Sequence, residues 1–104
     1  MPIKVYMTNI ASSPLTIGNQ RKVQHILETN KILHINIDVS DPSNNDEKQI
    51  LQKTLASMNK KFILPQIFHD AHYCCDFDEF LSAVESNTLK EILKLETETT
   101  NWSV

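Results

Sequence analysis

The chain has 104 residues, enough for one domain that buries its apolar side chains without disulfide or metal staples. Its formal net charge is −3 and its basic residues gather no more densely than the pairs Arg21-Lys22 and Lys60-Lys61, which argues against a phosphate-tracking surface and hence against nucleic acid as a partner. The opening MPIKVYMTNI lacks the basic-then-apolar run of a secretory signal, no apolar segment reaches about eighteen residues, and the two cysteines are neighbours, so the chain reads as a protein of the cytoplasm, or the nucleus, with no membrane partner.

In chain order, Ile3, Val5 and Met7 alternate with Lys4, Tyr6 and Thr8, which predicts a first strand with one buried face. Residues 9–16, NIASSPLT, are small and polar with a proline, and predict a loop running into a helix. That helix turns Val23, Ile26 and Leu27 to one side, and Asn30-Lys31 closes it with a left-handed cap. In ILHINID, residues 32–38, Leu33, Ile35 and Ile37 share one face of a second strand while His34, Asn36 and Asp38 share the other. SDPSNND supplies turn and capping residues, with Asp46 and Glu47 in a first helical turn where the helix dipole favours acids. Ile50, Leu51, Thr54, Leu55 and Met58 follow at helical spacing, and Asn59 ends that second helix.

FILPQIF, residues 62–68, is apolar, but Pro65 has no amide hydrogen and disfavours helix at Leu64, so a third strand begins at or after the proline. His69 to His72 makes a tight turn and Tyr73 to Cys75 returns antiparallel. Asp76 opens a helix with Glu79 three residues on, a capping-box pattern, and Phe77, Phe80, Leu81 and Val84 form its buried stripe. Ser86-Asn87 punctuates, and Leu89, Ile92, Leu93 and Leu95 give a last amphipathic piece before the polar tail ETETTNWSV, residues 96–104, read as flexible beside a domain of residues 1–95. The order β-α-β-α-β-β-α with a helical extension is that of an α/β, thioredoxin-like fold: a mixed central sheet flanked by helices.

One segment concentrates reactive side chains. HDAHYCCDFDEF, residues 69–80, holds two histidines, two adjacent cysteines and four acids. A bond between Cys74 and Cys75 would join Cα atoms about 3.8 Å apart, below the roughly 4.4–6.8 Å that disulfides favour. Zinc-type ligands are present in His69, His72, Cys74 and Cys75, but strand alternation sends adjacent cysteines to opposite faces, so no metal site is expected. The two histidines flanking the turn read as solvated, as do His25 and His34. A helix N-terminus close by would favour a thiolate at Cys74 or Cys75 and Asp76 would oppose it; the plainer reading packs one cysteine inward and leaves the other at a groove edge. The acids at 76, 78 and 79 read as helix-start charges. Trp102-Ser103-Val104 could offer a terminal carboxylate to a peptide groove, against the simpler reading of a disordered end.

KVYMTNIASS at 4–13, LETNKI at 27–32 and LPQIFHDAHYCCDFDEFLSAVESNTLKEILKL at 64–95 resemble the SH3 domain-binding glutamic acid-rich-like proteins, above all their short, tail-less form, over residues 3–95. The resemblance implies a glutaredoxin-like fold that lacks the catalytic Cys-x-x-Cys. A redox member of this architecture needs its thiolate at the start of the first helix, where amide hydrogens and the dipole lower its pKa. This chain has Ala11, Ser12, Ser13 and Pro14 there, a serine hydroxyl is far harder to ionise, and no histidine lies nearby in sequence as its base, so dithiol chemistry at that place is excluded.

The resemblance further implies that the substrate groove survives. Leu64-Pro65 matches the cis-proline at which glutaredoxins hold the cysteinyl part of glutathione, and is expected to be cis; Asp76-Phe77 matches the helix start that receives its γ-glutamyl carboxylate. Cys74-Cys75 replaces a Gly-Gly pair, and its Cβ atoms narrow the approach; Asn9 and Ile10 stand where a lysine commonly precedes the nucleophile. Glutathione is therefore expected to bind weakly, and no other cofactor is expected. The SH3-binding stretch is reduced to Leu64-Pro65-Gln66-Ile67-Phe68, with one proline where P-x-x-P needs two, so SH3 binding is not carried over.

The expected protein is a non-enzymatic, monomeric adaptor or modulator. It binds a peptide or protein in a groove of Leu64, Pro65, Cys75, Asp76 and Phe77 beside the loop of Asn9, Ile10, Ala11, Ser12 and Ser13, and the resemblance adds modulation of glutaredoxin activity. The alternative is a weak monothiol, glutathione-dependent redox or glutathionylation-sensing protein that uses Cys75 or Cys74.

Overall fold

The computed structural model describes residues 3–10, 13–70 and 72–93; Ala11, Ser12, Leu95, the tail 96–104 with Trp102, Ser103 and Val104, and with them the boundary at residue 95, lie outside. Along the chain run β1 (Ile3–Met7), α1 (Pro14–Thr29), β2 (His34–Asp38), a 3₁₀ turn (Pro42–Asn44), α2 (Asn45–Ser57), β3 (Gln66–His69), β4 (His72–Asp76), α3 (Phe77–Glu85) and α4 (Leu89–Ile92). The strands form one mixed sheet in the order β2-β1-β3-β4. β1 runs parallel to β2, and β3 is antiparallel to both β1 and β4, which is the thioredoxin-like arrangement.

β1 is central, and both its faces are covered. Ile3 and Val5 enter a core with Val23 and Leu27 of α1 and Phe80 of α3, whereas Tyr6 enters a second core with Ile37, Phe68 and Leu51 and Leu55 of α2. The expectation of a single buried face is thereby corrected: a strand with a helix layer on each side has no solvent face, and the hydroxyl of the buried tyrosine is satisfied by donating to Glu47 Oε1 at 2.8 Å. Each fully buried Leu, Ile or Phe contributes about 1.5–3 kcal/mol relative to staying in water.

Three further expectations shift. α1 begins at Pro14 rather than after Thr16, because proline's fixed φ and missing N–H suit the first helical position. Of the expected apolar face Ile37 is buried, but Leu33 is 90% exposed and Ile35 is exposed too, with Ile32 and Val39 buried in their place; β2 pairs only with β1 and ends the sheet, so its start has a neighbour on one side alone. On the helices, Leu51 and Leu55 face in while Ile50 and Met58 are exposed, and α3 buries Phe80 and Ala83 with Phe77 and Val84 packed against them, leaving Leu81 at the flank.

The ends of α1, α2 and α3 use one device without glycine, of which the chain has one. Lys31, Asn59 and Asn87 take positive φ of 57°, 58° and 62°. The next amide then returns to the helix: Ile32 to the Leu27 carbonyl, Lys60 to Leu55 and Thr88 to Ala83, at 2.8–2.9 Å. The Leu64–Pro65 peptide is cis. No described helix is long and apolar enough to cross a membrane.

Candidate functional site

Two loops and two helix starts meet at one end of the sheet. The loop after β1 is tied down on both sides. Gln20 of α1 is 5% exposed, and its amide brackets Thr8: the Thr8 N–H donates to Oε1 at 2.9 Å, and Nε2 donates to the Thr8 carbonyl at 3.1 Å. Asn9 donates its N–H and its side-chain amide to the two carboxylate oxygens of Asp38, at 3.2 and 2.8 Å. Burial pushes the Asp38 acid up, but the hydrogen bonds from the Ser40 hydroxyl and amide and from Asn9 outweigh it and hold the carboxyl below its ordinary value.

Ser13 is the N-cap of α1, in extended backbone, and its hydroxyl makes no capping bond; the first turn carries no acid. A thiolate would be stabilised at such a place, and the chain offers a half-buried hydroxyl instead.

A cleft of about 350 Å³ opens beside this helix start. Leu64, Pro65, Asp76 and Phe77 line it, as the resemblance implied, and Leu15, Ile63, Gln66, Lys60 and Lys61 join them. Asp76 is doubly engaged: Oδ1 accepts the Glu79 amide at 2.8 Å while Glu79 Oε1 accepts the Asp76 amide at 3.0 Å, a complete capping box, and Oδ2 lies 3.6 Å from Lys60 Nζ. Lys60 also reaches Glu79 at 3.9 Å and sits 5.5 Å over the Tyr73 ring, whose hydroxyl donates to Glu79 at 2.9 Å. Burial, then the bond to Glu79, pushes the Tyr73 acid far up, so the ring keeps its proton. What the cleft leaves open is the first-turn amides of α3 at Phe77 and Asp78, which have no intrahelical acceptor, and Lys61, which has no ion pair among the described residues.

The remaining expected site residues are placed elsewhere. Cys75 is 0% exposed, packed with Ile67 and Phe80, and does not line the cleft. Burial, then the charges at Cys74, Glu79 and Asp76, pushes its thiol far up. The two cysteines do not alternate across the sheet: Ile67 pairs with Cys75 and Phe68 with Tyr73, so Cys74 is the extra residue of a β-bulge and packs against the same core as Cys75. Cys74 Sγ points at the His72 carbonyl, 3.9 Å away, and neither thiol is in a disulfide. Ile10 lines a second cleft of about 400 Å³ that shares Leu64 as its wall and adds Phe62, Val39 and Lys48. Among the described residues no three His, Cys, Asp or Glu side chains gather as a metal ion would need. His69 is not merely solvated, since its Nδ1 bonds the Leu93 carbonyl at 2.9 Å and ties the end of α4 to β3; His34 Nδ1 meets the Ile32 carbonyl at 3.0 Å.

Sequence reading missed Gln20 and Gln66. Gln20 stands three and seven residues before Val23 and Leu27, on the buried stripe of α1, a polar residue at an apolar position; Gln66 begins a strand whose next two residues, Ile67 and Phe68, are apolar. Both were legible as polar groups that a core must satisfy.

Comparison with known proteins agrees with this geometry. The chain matches the family described as "SH3-binding, glutamic acid-rich protein" over residues 1–96. The SH3 domain-binding glutamic acid-rich protein homolog of Drosophila melanogaster is 31% identical over 103 residues, 91% of this chain, which spans 65% of that relative's length. Among solved structures, the C. albicans actin interacting protein Aip5 superposes with a TM-score of 0.71 at 23% identity, covering 88% of this chain and 87% of the other. Holo glutaredoxin C1 from Populus tremula x tremuloides follows at 0.64 and 17%, covering 89% and 76%. Identities this low establish a shared thioredoxin-like fold alone, while the family match over residues 1–96 establishes kinship: the chain belongs to the SH3-binding, glutamic acid-rich protein family, on a glutaredoxin-like scaffold.

Proposed function

We propose that this chain is a non-catalytic, glutaredoxin-like adaptor, acting as a monomer in the cytoplasm, whose cleft around Leu64, Pro65, Asp76 and Phe77 holds a peptide segment of a protein partner. One observation carries the reading: a cleft beside two helix starts with no usable sulfur. Ser13 caps α1, Cys75 is buried with its thiol pushed up, and Cys74 lies in the bulge against the core. Such a cleft binds without turning over. By occupying the peptide-like ligands of a true glutaredoxin, the chain would also modulate glutaredoxin activity.

Glutathione is at most a weak ligand in this reading, since its ammonium would find both carboxylate oxygens of Asp76 already engaged. SH3 docking is not part of it: Pro65 is fully buried, and a domain that grips prolines would have to pull it out of the core. The test has two arms. Titration of short acidic peptides and of glutathione, followed by amide chemical shifts, should move Leu64, Asp76 and Phe77, with peptides binding more tightly. Reduction of hydroxyethyl disulfide by the purified chain should stay at the uncatalysed rate. Robust turnover, or a stoichiometric glutathione adduct at Cys74 or Cys75, would replace the adaptor by a monothiol redox protein.

A further inference from the structure

The two edges of the sheet are not alike. β4 carries the bulge at Cys74, which interrupts its ladder, and a bulge is one of the devices that keep an edge from further pairing. β2 has none of them: its five residues pair with β1 in unbroken register and include neither proline nor lysine. The phase of the ladder says which main-chain groups face outward. The Val39 N–H donates to the Met7 carbonyl at 2.9 Å, so residues 35, 37 and 39 turn their main-chain groups to β1, and His34, Asn36 and Asp38 turn theirs away. Asp38 agrees, since its carbonyl accepts from Asn44 Nδ2 at 3.0 Å and from the Asp41 amide at 3.1 Å, both off the sheet. His34 and Asn36 are left presenting N–H and C=O on the side where β2 has no neighbouring strand.

The side chains alternate with the same period. Ile32 enters the core beneath α1, so Leu33 and Ile35 fall on the opposite face, where Leu51 and Leu55 of α2 cover Ile37 but not these two. They stay 90% and 46% exposed. An occupant must therefore supply main-chain groups at strand spacing and apolar side chains at every second position. A second copy would bring the same short edge, and Leu33 with the five residues of β2 falls well short of the about 20–30 residues a side that a stable interface takes. An extended segment of another protein answers both demands, because it has a free edge of its own and can lay its alternate side chains over Leu33 and Ile35.

We infer that the β2 edge is a second docking surface, at which an extended segment of a protein partner adds as a fifth strand, its main chain on His34 and Asn36 and its alternate apolar side chains on Leu33 and Ile35. This goes beyond the cleft, which Pro65, Gln66, Asp76 and Phe77 place on the β3–β4 side of the sheet. With one surface at each side, a single chain can hold two partners.

The probe is acetyl-Lys-Val-Thr-Val-Thr-Val-Lys-amide, with the reordered twin acetyl-Lys-Val-Val-Thr-Thr-Val-Lys-amide. Amide hydrogen exchange at His34 and Asn36 is the readout, and it reports the edge whatever the cleft does. With the alternating peptide at about ten times its Kd, both amides should exchange roughly tenfold more slowly. The twin, which turns one valine to the wrong face, should bind roughly tenfold more weakly. Asn36→Pro removes an outward amide, a change an edge strand tolerates, and should weaken the peptide roughly tenfold while the urea midpoint holds. Leu33→Lys, at a residue already in water, should weaken it at least as much, and it decides alone if Asn36→Pro unfolds. Two peptides that bind alike, a folded variant that binds as wild type does, or unslowed exchange at His34 and Asn36 each overturn the assignment. So does protection already present without peptide: if it rises with protein concentration the occupant is a second copy, and if it does not the chain covers its own edge.

Discussion

Cys75 separates a packed thiol from a working one, and the separation can be measured. The side chain is 0% exposed between Ile67 and Phe80, so Cys75→Ser would put a hydroxyl with no partner into an apolar site, at a loss of about 1–3 kcal/mol. Cys75→Ala loses one buried atom and leaves a small cavity, about 1 kcal/mol. The order of stability should be wild type, then alanine, then serine, read from urea midpoints at constant slope. A surface redox thiol would instead leave both variants within about 0.5 kcal/mol of wild type. Alkylation gives a second measure. Attack needs a thiolate, and burial pushes this thiol far up, with Cys74, Glu79 and Asp76 adding to it. Iodoacetamide must wait for the core to open, and an opening free energy of about 5 kcal/mol slows the reaction roughly 10³- to 10⁴-fold against the unfolded chain. Intact-mass time courses on Cys74→Ala, in buffer and in urea, isolate the Cys75 rate. Equal rates in the two solvents, or a serine variant as stable as wild type, would refute the buried-thiol account and revive the redox reading.

Asp76→Ala removes the carboxylate half of the capping box and the Lys60 pair, leaving the residue 76 amide on Glu79; the cap is worth about 1 kcal/mol and the exposed ion pair at most about 1 more, and an unchanged urea midpoint would show that α3 starts without its cap. Stability should fall on the alkaline side: burial first, then Glu47 for Tyr6 and Cys74 for Cys75, raises both acids in the fold, so the unfolded chain loses protons the folded chain keeps. The stabilisation is whole below about pH 8.5 and declines above about pH 9, at up to about 1.4 kcal/mol per pH unit for each group, and melting temperatures that stay flat to about pH 11 would contradict it. Ser13→Cys puts a thiol at the uncompensated start of α1, where its pKa should drop below the ordinary value of about 8.5 and it should alkylate at pH 6–7 faster than Cys74; an ordinary pKa would mean that the helix start was never a thiolate site.

Most of the architecture was readable from local signals. Periodicity located β1, β2 and the helices, Pro65 marked where β3 begins, Asp76 with Glu79 announced the capping box, and Asn30-Lys31 announced a left-handed end to α1. Cap chemistry depends on neighbours within a few positions, so one sequence suffices for it. The failures share a different cause. Whether Tyr6 faces solvent or a second core depends on α2 packing across the sheet from a position more than forty residues on, and whether Leu33 is covered depends on β2 ending the sheet. The bulge at Cys74 is likewise a property of the β3–β4 pair, invisible in either strand alone, and it reversed the expected orientation of one cysteine. At the site, Leu64, Pro65, Asp76 and Phe77 were legible through resemblance, whereas Lys60, Lys61 and Ile63 reach the cleft from a connection that carries no motif.

The loop after β1 shows why losing a sulfur need not dissolve a site. A loop freed from catalysis is usually free to vary and loosen, because its order serves nothing else. Here both backbone groups of Thr8 are taken by a buried glutamine and Asn9 is held twice by Asp38, itself fixed by Ser40. A fastened loop of this kind positions Ile10 at the mouth of one cleft while α1 positions Leu15 at the other, and both side chains stay largely in water. Apolar side chains held exposed on an ordered scaffold lose little further freedom when a partner covers them, and that saved entropy appears as affinity. In the adaptor proposed above, ordered exposed side chains of this kind are what a partner would bind, and a helix start with serine in place of a thiol is consistent with that use.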